Sequence, residues 1–114
     1  LSVEPVRADP ASGQVEIELA NRKELGLAYG SDAVHGGVLA ALVDIAGHAA
    51  VACRVGHAVP TIDLCVDYLR PAQGERLTAT ATPIQVGRSI GRASVEIRDQ
   101  RGALIVVGRA AYRT

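Results

Sequence analysis

The stretch VHGGVLAALVDIAGHAA, residues 34–50, places Asp44 in the middle of an otherwise Val, Leu, Ile, Ala and Gly segment, with His48 four residues further on. A carboxylate in an apolar helix is costly unless something compensates it, so either the helix is not fully buried or the charge has a task. Residues at i and i+4 share a helix face, which brings Asp44 and His48 to the same side. The remaining chemistry is sparse. Cys53 and Cys65 lie in apolar sequence without CxxC spacing or Cys and His at ligand intervals; they read as buried free thiols, favour a reducing, cytoplasmic setting, and give no metal site.

The elements that must hold these residues follow from periodicity. Residues 1–13, with Pro5, Pro10 and Gly13, read as an irregular or strand-edge lead-in. QVEIELA (14–20) alternates Val15, Ile17 and Leu19 against Glu16 and Glu18, the pattern of a half-buried strand. A polar connection, NRKELGLAYGSDA, with room for one short helical turn, leads into a Pro-free, Ala- and Leu-rich helix over about Gly36 to Arg54. TIDLCVDYLR (61–70) returns to period two, with Ile62, Leu64, Val66 and Tyr68 on one face. ERLTATATPIQV, RASVEIRD and ALIVVGRAAYR make three more strands, the last two joined by a QRG turn. Pro83 calls for an edge position or a bulge.

One strand, one long helix and four strands joined by short turns describe an α+β domain spanning 1–114, an antiparallel sheet curved around a single helix. The helix is also near the minimum length for crossing a bilayer, roughly 18 residues, but Asp44, His48 and the need to cover four amphipathic strands argue against insertion. A formal net charge of +0 and a pI of about 7.0 remove the electrostatic basis for nucleic-acid or anionic-membrane binding. Aromatic residues make up 3% of the chain, with no Phe and no Trp, so base-stacking platforms are not expected either and the core must be aliphatic. The sequence starts at Leu1 and has no Met, so the natural start is expected upstream.

HGGVLAALVDIA closely resembles the HGG-x-Asp helix of the hotdog-fold acyl-CoA thioesterases of the PaaI and 4-hydroxybenzoyl-CoA thioesterase group. PTIDLCVDYLRPA resembles the strand that follows it, and VGRSIGRASVEIRDQRGALIVVGRAAY the closing hairpin. The resemblance runs from about residue 12 to the end. It implies hydrolysis of an aromatic or medium-chain acyl-CoA, with CoA present only as part of the substrate and no separate cofactor. It implies Asp44 as general base or nucleophile and the Gly36 backbone N–H as the donor to the thioester carbonyl. An N–H in the first turn of a helix is an unpaired donor in a positive dipole field, which suits a developing oxyanion, and Gly allows close approach.

Asp44 and Gly36 are eight residues apart, roughly 12 Å along one helix, so one carbonyl cannot meet both from a single chain. If both act, they come from different subunits of a homodimer; relatives pair such dimers into tetramers. His48 is then placed to orient the attacking water or modulate Asp44, or to pair with it structurally. Thr61 matches a water-orienting hydroxyl position, and His35 a helix-cap histidine that braces the loop. Many relatives carry Asn or Gln six residues before that histidine; here the position is Tyr29, with Ser31 or Asp32 as substitutes. Gly37 and Ala41 are expected to line the substrate, and Ala40, Val43 and Ala49 to leave room for its acyl group. For the CoA phosphates, Gly87, Arg88 and Ser89 match best, with Arg70, Arg92 and Arg109 as weaker candidates. A non-catalytic acyl-CoA sensor is the alternative, and a hydratase or dehydratase a more distant one.

Overall fold

The computed structural model describes residues 3–21 and 33–114. The chain runs β1 (Val3–Ala8), β2 (Val15–Ala20), α1 (Gly36–Val55), β3 (Thr61–Tyr68), β4 (Arg76–Val86), β5 (Ile90–Asp99) and β6 (Leu104–Arg113). The strands form one antiparallel sheet in the order β1-β2-β4-β5-β6-β3, and α1 lies along one face of it, mainly over β4, β5 and β6. This is the sheet around one helix that the strand and helix patterns predict, and the hotdog arrangement that the resemblance implies. The connection through α1 carries the chain from one side of the sheet to the far edge, where, among the described residues, β3 pairs only with β6.

The lead-in is more regular than its prolines suggest. β1 pairs with β2 at the sheet edge, where Pro5 needs no outward hydrogen bond, and the register shifts between Pro5 and Arg7. The turn to β2 is built on Asp9, whose carboxylate accepts from the Ala11 N–H at 3.0 Å and the Ser12 hydroxyl at 3.0 Å. Those two donors, the backbone one first, hold its carboxyl below the usual range. Pro83 sits inside β4 just beyond the last β2 pair, Ala81 with Val15, and the register against β5 shifts between Pro83 and Gln85. It is a bulge in a central strand with no ladder bond to lose on the β2 side. The QRG turn closes as a hairpin, Gly102 N–H to the Asp99 carbonyl at 3.0 Å.

The core is aliphatic and small. Val15, Ile17, Leu19, Leu77, Ala79, Ala81, Ala93, Val95, Ile97, Val106, Ala110 and Tyr112 face Leu39, Leu42, Val43, Ala46, Ala50 and Val51 of the helix. Alanines in the sheet floor let the helix lie close, and Gly108 takes this to its limit: a Cβ there would stand 2.7 Å from Val43 Cγ1. Val43 is therefore core, and not part of the acyl space expected of it.

The helix is long and apolar enough to cross a membrane by composition, yet here it packs on the sheet by one stripe at helical spacing, from Leu39 to Val51. Ala40, Ala41, Asp44, Ile45, His48 and Ala49 make the opposite stripe, which is only half-buried. The thiols also depart from expectation: Cys53 and Cys65 are free, as read, but both are exposed. Apolar neighbours in sequence did not mean apolar neighbours in space, because Cys53 ends the helix's open side and Cys65 alternates onto the sheet face turned away from it.

Candidate active site

Asp44 lies midway along the half-buried stripe of α1, with its carboxylate tied to the sheet on one side only. Oδ1 accepts from Thr61 Oγ1 at 2.8 Å and from the Tyr112 hydroxyl at 3.1 Å, while Oδ2 has no partner among the described residues. The same Tyr112 hydroxyl donates to the Asp44 backbone carbonyl at 2.9 Å. Thr61 opens β3 and Tyr112 nearly ends β6, and strand register places them directly opposite one another. Two hydroxyls from neighbouring strands thus grip one oxygen and, among the described residues, leave the other without a donor.

Tyr112 was read only as a strand residue, and nothing local marks it as part of a site. Its ring is fully buried, and burial, then the Asp44 charge, then the bond to that carboxylate push the phenol strongly upward, so it remains a proton donor. Its place is reserved by Gly47, where a Cβ would come within 2.5 Å of the hydroxyl. An unexplained glycine in mid-helix, three residues after the acid, is the available sequence signal.

His48 does not make the structural pair with Asp44 that the i, i+4 spacing allows. Its Nε2 accepts from the Val59 N–H at 3.2 Å, which places the ring proton on Nδ1, and its ring meets Tyr112 edge-on with centroids 6.0 Å apart. No hydrogen bond or ion pair joins it to Asp44 among the described residues. It braces the connection from α1 to β3, and so positions Thr61 two residues further on.

At the helix start His35 is the N-cap, its Nδ1 accepting from the Gly37 N–H at 3.0 Å. This spends the Gly37 N–H, so Gly37 can offer close approach but no donor. The Gly36 N–H, one peptide earlier, meets no acceptor among the described residues, and the Gly36 carbonyl accepts from the Tyr68 hydroxyl at 2.7 Å. Ala41, one turn before Asp44, borders the open stripe. Tyr29, Ser31 and Asp32 lie outside the described residues.

Gly87, Arg88 and Ser89 form the exposed turn between β4 and β5. It is held by Gly87 N–H to the Ile90 carbonyl at 2.8 Å, and by the last residue, Thr114, bonding to the Gly87 and Ser89 carbonyls. Register aligns Val86, Gly91, Tyr112 and Thr61 across four strands, so this turn lies at the same end of the sheet as the Asp44 clamp. Arg92 and Arg109 do not join it: with Asp63 and Cys65 they surround a depression of about 220 Å³ on the sheet face away from the helix. Arg70 is exposed beyond the end of β3.

Comparison with known proteins agrees with this fold. The thioesterase superfamily profile matches residues 32–106. The medium/long-chain acyl-CoA thioesterase YigI of Escherichia coli is 35% identical over 97 residues, covering 69% of this chain and 61% of its own length, so the chain spans less than two thirds of that relative. A solved thioesterase-superfamily protein superposes with a TM-score of 0.91 at 36% identity, covering 98% of this chain and 83% of that one. The E. coli PaaI protein of the phenylacetic acid degradation operon superposes at 0.83 with 25% identity, covering 98% and 82%. A sheet wrapped on one helix, an acid on that helix and a profile match over most of the sequence converge: the chain belongs to the thioesterase superfamily, with the hotdog fold.

Proposed function

We propose that the protein hydrolyses acyl-CoA thioesters, with Asp44 acting through Oδ2 as general base or nucleophile and the Gly36 N–H of the partner subunit receiving the carbonyl oxygen. The observation that carries this reading is the half-satisfied carboxylate on the half-buried stripe of the helix: Oδ1 is fixed by Thr61 and Tyr112, and Oδ2 has no partner among the described residues. As general base, Oδ2 takes a proton from water as the oxygen attacks the thioester carbon. The oxyanion gathers at the Gly36 N–H; its collapse breaks the C–S bond, and the thiolate of CoA leaves with the proton. As nucleophile, Oδ2 attacks the thioester carbon and the C–S bond breaks to release CoA thiolate, giving a mixed anhydride that water opens to the free acid and the regenerated Asp44 carboxylate. Both routes need a second copy, because Gly36 and Asp44 stand about 12 Å apart on one helix. The exposed edge of β3 and the uncovered stripe of α1 supply an apolar surface for that copy, including Ile62 and Ile45.

The names of relatives support a CoA thioester, and that of YigI a medium or long acyl chain. The small side chains of Ala40, Ala41 and Ala49 are compatible with such a chain lying along the helix, and Arg88, at the same end of the sheet, with the CoA phosphates at its mouth. Release of free thiol from a panel of aliphatic and aromatic acyl-CoAs tests the activity. Asp44→Ala is expected to reduce turnover at least about a thousandfold with the fold intact by circular dichroism; turnover retained in that variant rejects the assignment.

A further inference from the structure

In the first turn of α1 the groups that flank the Gly36 N–H are committed. The His35 carbonyl accepts from Val38 N–H at 2.9 Å and Leu39 N–H at 3.3 Å, and the Gly37 N–H is held by His35 Nδ1. The Gly36 carbonyl, available to its own helix, also takes the Tyr68 hydroxyl at 2.7 Å. The peptide between Gly36 and Gly37 is thereby pinned at both edges, by β3 through its oxygen and by the cap through its N–H. Among the described residues the Gly36 N–H is left without an acceptor; it lies in the His35–Gly36 plane, which turns on the Gly36 Cα against the pinned Gly36–Gly37 plane, so its direction is set when both planes are held.

Two successive glycines would otherwise leave this turn free to rock, since neither has a side chain to pack. Tyr68 supplies that missing restraint from another element, 32 residues away. Its ring lies over Gly36, with ring carbons 3.4 Å from where a Cβ would be, although the residue is 52% exposed. A half-exposed tyrosine spending its hydroxyl on a carbonyl already available to a helix adds little to folding, so its contribution has to be sought in the geometry of the turn.

We propose that Tyr68 is a positioning residue for hydrolysis: by anchoring the Gly36–Gly37 peptide to the end of β3, it aims the Gly36 N–H at the oxygen of the reacting thioester. The proposal rests on the reading of Gly36 as the carbonyl donor. Because β3 is also the edge strand beside the uncovered helix stripe, the anchor ties the donor to the element that a second subunit would meet.

Tyr68→Phe keeps the ring and removes only the hydroxyl. Its kcat is expected to fall about tenfold, less than for outright loss of an oxyanion donor, with KM changed less than about twofold and the oligomer unchanged. A purely structural role is separated by infrared spectroscopy of a 13C=O-labelled acyl-CoA bound to Asp44→Asn protein. The bound carbonyl stretch should lie below its frequency in solution, and adding Tyr68→Phe should return it most of the way. Wild-type kcat in Tyr68→Phe, or a fall in kcat with the bound carbonyl frequency unmoved, overturns the proposal. A bound carbonyl that shows no downward shift even with Tyr68 present rejects Gly36 itself as the donor, and this proposal with it.

Discussion

Asp44 Oδ1 carries two hydroxyl donors and Oδ2, among the described residues, none; this asymmetry is the chemically informative feature at the scale of single residues. Thr61 was legible only through the family resemblance, since as a residue it reads simply as a β-branched strand opener. Tyr112 was not: it is 68 residues from Asp44, and only the pairing of β6 with β3 brings its hydroxyl there. Tyr112→Phe should keep the packing and lose the grip. We expect kcat to fall about tenfold, with about 1 kcal/mol of stability lost in urea titration. The same residue predicts an alkaline limb. Its folded pKa is raised above the ordinary 10.0, so the unfolded chain releases that proton first. Its contribution to stability is then complete below pH 10.0 and declines above it, by at most about 1.4 kcal/mol per pH unit. Urea unfolding between about pH 8 and about pH 11 should show a steeper alkaline loss in the wild type than in Tyr112→Phe.

Among the elements, the seat of the helix on the sheet decides where Asp44 stands. The period-two and helical patterns located β2, β3, β4, β5, β6 and α1 to within about two residues, since hydrophobic periodicity is a local property. β1 escaped because Pro5 and a nearly uniform exposure hide the alternation that an edge strand need not show. The depth of the helix depends on Gly108, which lies under Val43. Gly108→Ala should cost about 1–3 kcal/mol through overpacking, visible as a lowered melting temperature. In the double variant Gly108→Ala/Val43→Ala the two losses should fall short of additive, as the added methyl enters the space vacated.

For the whole molecule, the separation of Gly36 from Asp44 makes assembly part of the proposed chemistry. A dimer with two sites, each taking its acid from one chain and its donor from the other, can be tested by complementation. Gly36 occupies the first helical position, after a His35 with φ −62° and ψ 138°, a backbone that accepts a following proline. Gly36→Pro should therefore delete the N–H with little harm to the helix. Gly36→Pro and Asp44→Ala proteins should each be inactive alone. Unfolded together and refolded, they should recover about a quarter of wild-type activity, from the one intact site in each mixed dimer. A mixture that stays inactive while forming mixed dimers would place the two groups in separate sites.

Sequence by itself determined the kind and order of the main elements, the acid on the helix and its resemblance to the thioesterases, because period, turn chemistry and the HGG-x-Asp spacing are all written within short windows. It could not say which side of a nearly uniformly apolar helix would be buried, whether two thiols in apolar sequence would be covered, or that Tyr112 and Tyr68 would reach Asp44 and Gly36. Those outcomes depend on β3 crossing to the far edge and pairing with β6, a contact between distant segments that only the folded sheet fixes.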